Sequence, residues 1–262
     1  MNLEHICLKV VDLTKDVMNF LKKEQEEFDR SNIELKGKND LVSYVDKQSE
    51  MLLVRGLKEI LPEAGFITEE ATISQEEKKY TWIIDPLDGT TNYLHKMPLF
   101  SISVGLMSEG RIILGVVHEV NLDECFYAWE GGGAFLNGNR IFVNDNTALK
   151  ASLIATGFRY KQLDKTEAYF NIINEFVKTT NGVRRLGSTA VDLAYVACGR
   201  LDGCLEYNLN SWDIAAGVLL VKEAGGAVTD FTGGNDFLSG KEVLACGKAF
   251  EEISTAVKDR WN

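Results

Sequence analysis

Two aspartates stand three residues apart where an apolar segment of the sequence ends. The segment reads TWIIDPLDGTTNY over residues 81–93, and its acids are Asp85 and Asp88. Asp, Pro and Gly are the usual residues of tight turns, and Pro86 is expected to end a strand here, so a turn alone would explain the spacing. Neighbouring carboxylates are also the oxygen ligands that Mg²⁺ takes in proteins.

Other acids border apolar segments elsewhere in the chain. Asp46 closes DLVSYVD, Glu69 and Glu70 close GFITEE, and Asp213 precedes IAAGVLLV. Each has a local explanation: Asp46 and Asp213 as helix N-caps, and the glutamates as solvated loop charges. If they gather, each close pair of carboxylates repels by roughly 4 kcal/mol at an effective dielectric near 20, and divalent cations would relieve that repulsion.

Gly89, Thr90 and Thr91 follow Asp88 directly. Glycine permits a close approach of the backbone, and the free N–H groups at such a turn or helix start bind phosphate oxygens. Acids that hold a metal beside amides that hold a phosphate are the arrangement required for metal-assisted phosphoryl transfer. The histidines and cysteines lack the spacing of zinc ligands, so zinc is not expected.

The bulk composition is that of a globular protein of 262 residues with a net charge of −11. This charge argues against nucleic acid as the main ligand, because phosphate backbones attract Lys and Arg. The cysteines are odd in number and form no Cys-x-x-Cys pair, which is typical of buried thiols in a reducing compartment. No apolar run approaches the ~20 residues that span a bilayer. We therefore expect a cytoplasmic protein without a membrane segment.

The elements that must position these residues follow from hydrophobic periodicity. An apolar stripe from Leu3 to Leu21 predicts a long opening helix. A short loop is expected between Lys36 and Asp40, and a second helix over about 47–61. Strand-like segments then lead to an Asn137-Gly138 hairpin. Helices and strands alternate after Thr147, with helices expected over 164–178 and in GSTAVDLAYVACGRL and DIAAGVLLVKEAGG. The pattern predicts one α/β domain over 1–262, with halves of about 1–146 and 147–262.

The segment WIIDPLDGTTNY strongly resembles the Asp-Pro-(Ile/Leu)-Asp-Gly-Thr-Thr-Asn signature of the inositol monophosphatase family, in the wider group of lithium-sensitive, Mg²⁺-dependent phosphatases with fructose-1,6-bisphosphatase. Other segments match in the same order, namely DLVSYVD, GFITEE, GGGAFLNGNRI, LGSTAVDLAYVACGRLDG, WDIAAGVLLVKEAGG and VTDFTGG. The resemblance implies a layered α-β-α-β-α sandwich, two or three Mg²⁺ ions, a small phosphorylated metabolite as substrate, and a homodimer.

The resemblance also implies a role for each matched position. The implied metal ligands are Glu69, Asp85, the Leu87 carbonyl, Asp88 and Asp213. Thr90 with Glu69 would orient the attacking water.

Three further contributions are implied around these ligands. Asp46 would support Thr90, and the amides of Gly89 and Thr90 would hold the phosphate. Thr189 and Glu206 would face the ring of the inositol, although Thr189 replaces the usual Ala.

The expected reaction is therefore hydrolysis of a phosphate monoester, myo-inositol 1-phosphate before others. Fructose-1,6-bisphosphatase activity and broad activity on sugar or nucleotide phosphates remain alternatives, with histidinol phosphate more distant. A non-catalytic binding or scaffold protein on the same fold is the alternative from another class, and the intact set of acids speaks against it.

Overall fold

Two large β-sheets, besides a small two-stranded one, alternate with three layers of helices in the computed structural model, which describes residues 1–27, 33–35, 41–158 and 165–261. The loop predicted between Lys36 and Asp40 lies outside the described residues. The helices Leu3–Glu27 and Tyr44–Ile60 cover one face of the first sheet, Thr189–Ala197 and Ser211–Glu223 lie between the sheets, and Thr166–Thr179 and Phe250–Trp261 cover the second sheet. The predicted α-β-α-β-α sandwich is confirmed.

The first part of the chain builds a seven-stranded sheet in the order β3-β4-β5-β6-β7-β8-β9. Strand β3 is parallel to β4, and each later neighbour is antiparallel. The elements are α1 (Leu3–Glu27), β1 (Ile33–Leu35), β2 (Leu41–Ser43), α2 (Tyr44–Ile60), β3 (Gly65–Thr68), β4 (Tyr80–Asp88), α3 (Thr90–Leu94), β5 (Ser101–Ser108), β6 (Arg111–Glu119), β7 (Glu124–Trp129), β8 (Gly133–Leu136) and β9 (Asn139–Ile141).

The second part builds a five-stranded sheet in the order β11-β10-β12-β14-β13. Strands β11, β10 and β12 are parallel, and β14 is antiparallel to both of its neighbours. The elements are β10 (Leu153–Gly157), α4 (Thr166–Thr179), β11 (Gly182–Arg184), α5 (Thr189–Ala197), β12 (Gly203–Tyr207), α6 (Ser211–Glu223), β13 (Ala227–Thr229), α7 (Phe237–Gly240), β14 (Glu242–Cys246) and α8 (Phe250–Trp261).

Helix α6 lies at the centre of the molecule because it is apolar on all sides. Every residue from Asp213 to Val221 is buried. A helix without a polar face cannot border water, so it fits only between two sheets. It contacts strands of the first sheet and strand β13 of the second, and its N-terminal end carries Asp213.

Several predicted elements are confirmed, and two boundaries are wrong. The opening helix forms, and Asn137 and Gly138 both adopt the positive φ that a two-residue hairpin requires. The second helix begins at Tyr44 rather than near 47, so Asp46 lies inside its first turn and is not its N-cap. The strand of the opening motif does not end at Pro86 but continues to Asp88.

Candidate active site

A β-bulge brings the two aspartates of the opening motif together. Asp85 pairs with Ser103 on β5 and Asp88 with Ser101, so β4 contains one residue more than its neighbour between these pairs. Pro86 lies inside the bulge, where a residue without an N–H group is tolerated. In a regular strand, residues three apart face opposite sides of the sheet. The extra residue removes that alternation and lets both carboxylates serve one site.

Glu69 joins Asp85 because β3 and β4 are parallel and end at the same edge of the sheet. The Glu69 N–H donates to the Ile84 carbonyl at 3.2 Å. The two carboxyl groups lie within hydrogen-bonding reach of each other. Burial and then the charge of Asp213 raise the pKa of Glu69. Burial, followed by Glu69, Asp88 and Asp213, raises the pKa of Asp85 well above its ordinary value.

Asp213 reaches the cluster from the first turn of α6. The N-cap of this helix is Asn210, and Asp213 is its third residue, so the prediction of Asp213 as N-cap is wrong. Its Oδ2 accepts a hydrogen bond of 2.6 Å from the Asn210 N–H, as the third residue of a capping box does. The buried carboxylate is thereby held close enough to Glu69 and Asp85 to raise the pKa of each.

Asp88 ties the bulge to the start of α5. Its Oδ2 accepts hydrogen bonds from the Ser188 hydroxyl at 2.6 Å and from the Ala190 N–H at 2.7 Å. Ser188 is the N-cap of α5 and was not predicted as a site residue. A Ser directly before an apolar helix can be recognised in the sequence as an N-cap. Its bond to Asp88 cannot, because the two residues are one hundred positions apart.

Thr90 lies between Asp46 and the Leu87 carbonyl. Its Oγ1 is 3.3 Å from Asp46 Oδ1 and 3.1 Å from the Leu87 oxygen. Gly89 precedes it with φ at 95°, a left-handed conformation that favours glycine. A Cβ at Gly89 would also lie 3.1 Å from the Gly187 carbonyl oxygen. The structure thus places Asp46, Leu87, Gly89 and Thr90 together, beside the carboxylates of β4.

Thr189 and Glu206 form a second polar pair at the start of α5. The Thr189 hydroxyl donates to Glu206 Oε2 at 2.8 Å, and both side chains are buried. Gly157, the partner of Glu206 across β10 and β12, leaves room for the carboxylate, because a Cβ there would lie 2.1 Å from it. Thr189 directly follows Ser188, so the start of α5 connects this pair with Asp88.

The donor set fits a hard cation held by an open site. Among the described residues, no three Asp, Glu, His or Cys side chains converge closely enough to hold an ion by themselves. Mg²⁺ usually keeps several waters and binds through one or two carboxylates plus substrate phosphates, whereas structural zinc takes four protein ligands. The strongest charge effects on Asp85 come from other carboxylates, which is the repulsion that a divalent cation relieves.

Cysteine nucleophiles are not supported. Burial raises the pKa of the Cys198 and Cys204 thiols above its ordinary value, and the reactive form of cysteine is the thiolate. Cys204 lies in the core, and Cys198 is half-buried and packs against it. Gly131 and Gly132 lie in the turn between β7 and β8, and Gly133 is the first residue of β8.

The layered fold is an α/β sandwich that is shared with solved inositol monophosphatase structures. The model of the inositol monophosphatase family matches residues 3–262, and the chain belongs to this family. Members of the family are generally metal-dependent. Within the described part of the chain, no helix has the length and apolar character needed to cross a membrane.

The relatives carry two kinds of name. The inositol-1-monophosphatase of Mesorhizobium japonicum is 40% identical over 228 residues, which are 86% of each chain. Nus factor SuhB of Escherichia coli K12 is 40% identical over 228 residues, 87% of this chain and 85% of that protein. The comparisons show the family. Because the two names describe different roles, catalysis by this chain and the absence of a nucleic-acid partner stay predictions.

Two solved structures illustrate the range of similarity. The extragenic suppressor protein SuhB from Bartonella henselae has a TM-score of 0.89 at 38% identity, with 95% of this chain and 97% of that chain covered. SaIMPase-II with bound 2′-AMP has a TM-score of 0.79 at 26% identity, with 96% and 93% covered.

Proposed function

We propose that the chain is a Mg²⁺-dependent phosphatase that hydrolyses a small phosphate monoester, with myo-inositol 1-phosphate as the preferred substrate. The observation that carries the proposal is the cluster of Glu69, Asp85, Asp88 and Asp213, in which burial and mutual repulsion raise the pKa of Glu69 and Asp85. Stability alone would not favour such a cluster, because grouped buried carboxylates cost free energy unless a cation or protons compensate them.

The proposed division of labour follows the hydrogen bonds of the site. Glu69, Asp85, the Leu87 carbonyl, Asp88 and Asp213 would hold two or three Mg²⁺ ions. Bound Mg²⁺ supplies positive charge to the phosphoryl group and lowers the pKa of a bound water.

The remaining groups act on water and phosphate. Thr90 accepts a hydrogen bond from the attacking water while its own hydroxyl donates to Asp46, 3.3 Å away. Glu69 accepts the proton of that water as its oxygen bonds to phosphorus and the ester P–O bond breaks, and the leaving alkoxide takes a proton from a second water. The amides of Gly89 and Thr90 bind phosphate oxygens. We also propose that the protein is a cytoplasmic homodimer and that lithium inhibits it.

A panel of phosphate esters tests the proposal. We expect phosphate release from inositol 1-phosphate to be fastest, to require Mg²⁺ and to fall when Li⁺ is added. The comparison substrates are fructose 1,6-bisphosphate, a 3′,5′-bisphosphonucleotide, histidinol phosphate and 2′-AMP. The last is included because SaIMPase-II binds it, which favours a broad nucleotide phosphatase as the second candidate. Release from none of them would favour the non-catalytic alternative.

Glu206 is proposed to select the alcohol half of the substrate, together with Thr189. We expect Glu206→Gln to raise KM for inositol 1-phosphate by about tenfold with a smaller change in kcat, because a hydrogen bond to a charged group contributes about 1.5–3 kcal/mol. Steady-state kinetics measure both constants. The matched control is 4-nitrophenyl phosphate, which has no ring hydroxyls and should be hydrolysed as by the unchanged chain. An equal loss on both substrates would contradict this role.

A further inference from the structure

Glu50 is a fully buried carboxylate on α2 that is bound to the segment after β3. Its Oε1 accepts hydrogen bonds from the Thr68 hydroxyl at 2.9 Å and from the N–H and hydroxyl of Thr72, both at 2.7 Å. Its Oε2 accepts from the Glu70 N–H at 2.7 Å. A buried carboxylate is tolerated only when it is hydrogen-bonded in this way. One side chain therefore binds three of the five residues of the turn from 68 to 72.

Glu69 lies inside this turn, between two of the residues that Glu50 holds. On one side the Glu69 N–H is bound to the Ile84 carbonyl of β4. On the other side Glu50 binds Thr68 and Glu70, the immediate neighbours of Glu69. The turn also contains Ala71 at φ 50°, a left-handed conformation that costs a non-glycine residue free energy. Such a turn keeps its shape only while the surrounding contacts impose it.

Asp46 and Glu50 stand four residues apart on α2 and so share one face of the helix. Asp46 lies within hydrogen-bonding distance of Thr90, and Glu50 binds the neighbours of Glu69. The same helix face therefore sets the positions of both groups proposed to hold the attacking water. The spacing between Asp46 and Glu50 is visible in the sequence, whereas the partner of Glu50 is not.

We propose that Glu50 is a positioning residue that keeps Glu69 at the metal site by fixing the turn over 68–72. The catalytic part of this inference rests on the proposed function. Without Glu50 the Thr68 hydroxyl and the Glu70 N–H on either side of Glu69 lose their acceptor, so the Glu69 carboxylate would no longer be held in place. Metal affinity would fall even though Glu50 contacts no metal.

The test is the Glu50→Gln variant, which keeps the side-chain volume but turns one acceptor into a donor that faces N–H or O–H groups. We expect ~10–100-fold weaker binding of Mn²⁺ or Mg²⁺ in calorimetry, the range found when a supporting residue behind a metal ligand is lost. Amide hydrogen exchange in residues 68–72 should become faster. The Mg²⁺ concentration for half-maximal phosphate release should rise, while kcat at saturating Mg²⁺ falls less.

Asp230→Asn is the matched control. Asp230 is also a buried carboxylate that holds a turn through four donors, the N–H groups of Thr232, Gly234 and Asp236 and the Thr232 hydroxyl. Its turn carries none of the proposed metal ligands. The control should exchange faster over 230–236 and bind Mn²⁺ as the unchanged chain does.

The outcomes separate the inference from the proposed function. Unchanged Mn²⁺ affinity in Glu50→Gln, despite faster exchange over 68–72, would overturn the positioning role. A wild-type chain that binds Mn²⁺ but releases no phosphate would overturn the proposed function, and the calorimetry would still decide the role of Glu50. If Glu50→Gln does not fold, Thr68→Val and Thr72→Val, which each remove one hydroxyl donor, should weaken Mn²⁺ binding in the same direction; unchanged affinity in both would overturn the role.

Discussion

An Asp85→Asn variant is expected to lose phosphatase activity by at least ~10³-fold and to remain folded, because a metal site supplies several kcal/mol of transition-state stabilisation. Asp85 is the carboxylate on which the charges of Glu69, Asp88 and Asp213 all act. The amide keeps the shape of the side chain but removes the negative charge that would attract the cations. Phosphate release at saturating Mg²⁺ measures the effect, and Asp230→Asn serves as the buried-carboxylate control.

The same variant should be no less stable than the wild type when metal is absent. The folded-state pKa of Asp85 is raised by burial and neighbouring carboxylates. An acid with a raised folded-state pKa destabilises the folded protein once the pH exceeds its unfolded-state pKa of about 3.9. The destabilisation grows until the pH passes the folded-state pKa. Metal-free wild type should therefore lose more thermal stability than Asp85→Asn as the pH rises through this window. Near wild-type turnover of the variant at saturating Mg²⁺ would contradict the proposed mechanism.

Gly115→Ala is expected to lower the thermal stability of the whole chain, because α6 lies against the sheet at this position. Gly105 and Gly115 are partners on β5 and β6. A Cβ at Gly115 would lie 2.6 Å from the carbonyl oxygen and 2.9 Å from the Cα of Ala216, which are backbone atoms. Overpacking of this kind costs about 1–3 kcal/mol. For a domain of this size, each kcal/mol lowers Tm by about 2–4 °C.

Gly105→Ala provides the comparison, since its Cβ would lie 3.0 Å from the Ala215 Cβ and no closer than 3.4 Å to backbone. We expect a smaller loss of Tm there. Gly115→Ala should also need more Mg²⁺ for half-maximal activity, because the displaced helix carries Asp213 in its first turn. Melting curves and Mg²⁺ titrations measure both effects. Equal Tm values for Gly105→Ala, Gly115→Ala and wild type would show that α6 does not approach the sheet so closely.

Much of the fold was predictable because its elements are long or strongly patterned. The stripe of α1 and the apolar run of α6 each determine a helix through local spacing alone. The strands β11 and β14 and the helix α8 were not predicted. Strands β11 and β14 contain only three and five residues. Short segments form strands because neighbouring strands in the sheet pair with them, and the residues of the segment alone do not predict that pairing.

The candidate site likewise contains residues that the sequence predicted and residues that it did not. The acids of the motif at 81–93, the Asp46 of the second helix and the Thr189–Glu206 pair were all named from the sequence, largely through the resemblance to the family. Their roles stay predictions, but the structure brings them into one region. Ser188 and Glu50 were missed, because each acts through a hydrogen bond to a distant part of the chain.

The sequence by itself determined the chemistry available to this protein: which acids, which amides, and which family they indicate. Only the tertiary structure decided how Asp85 and Asp88 come to serve one site. The expected answer was a strand that stops at Pro86, and the observed answer is a bulge within a continuous strand. The physical reason is that a bulge is defined by register with the neighbouring strand, and register depends on contacts between segments that the sequence keeps apart.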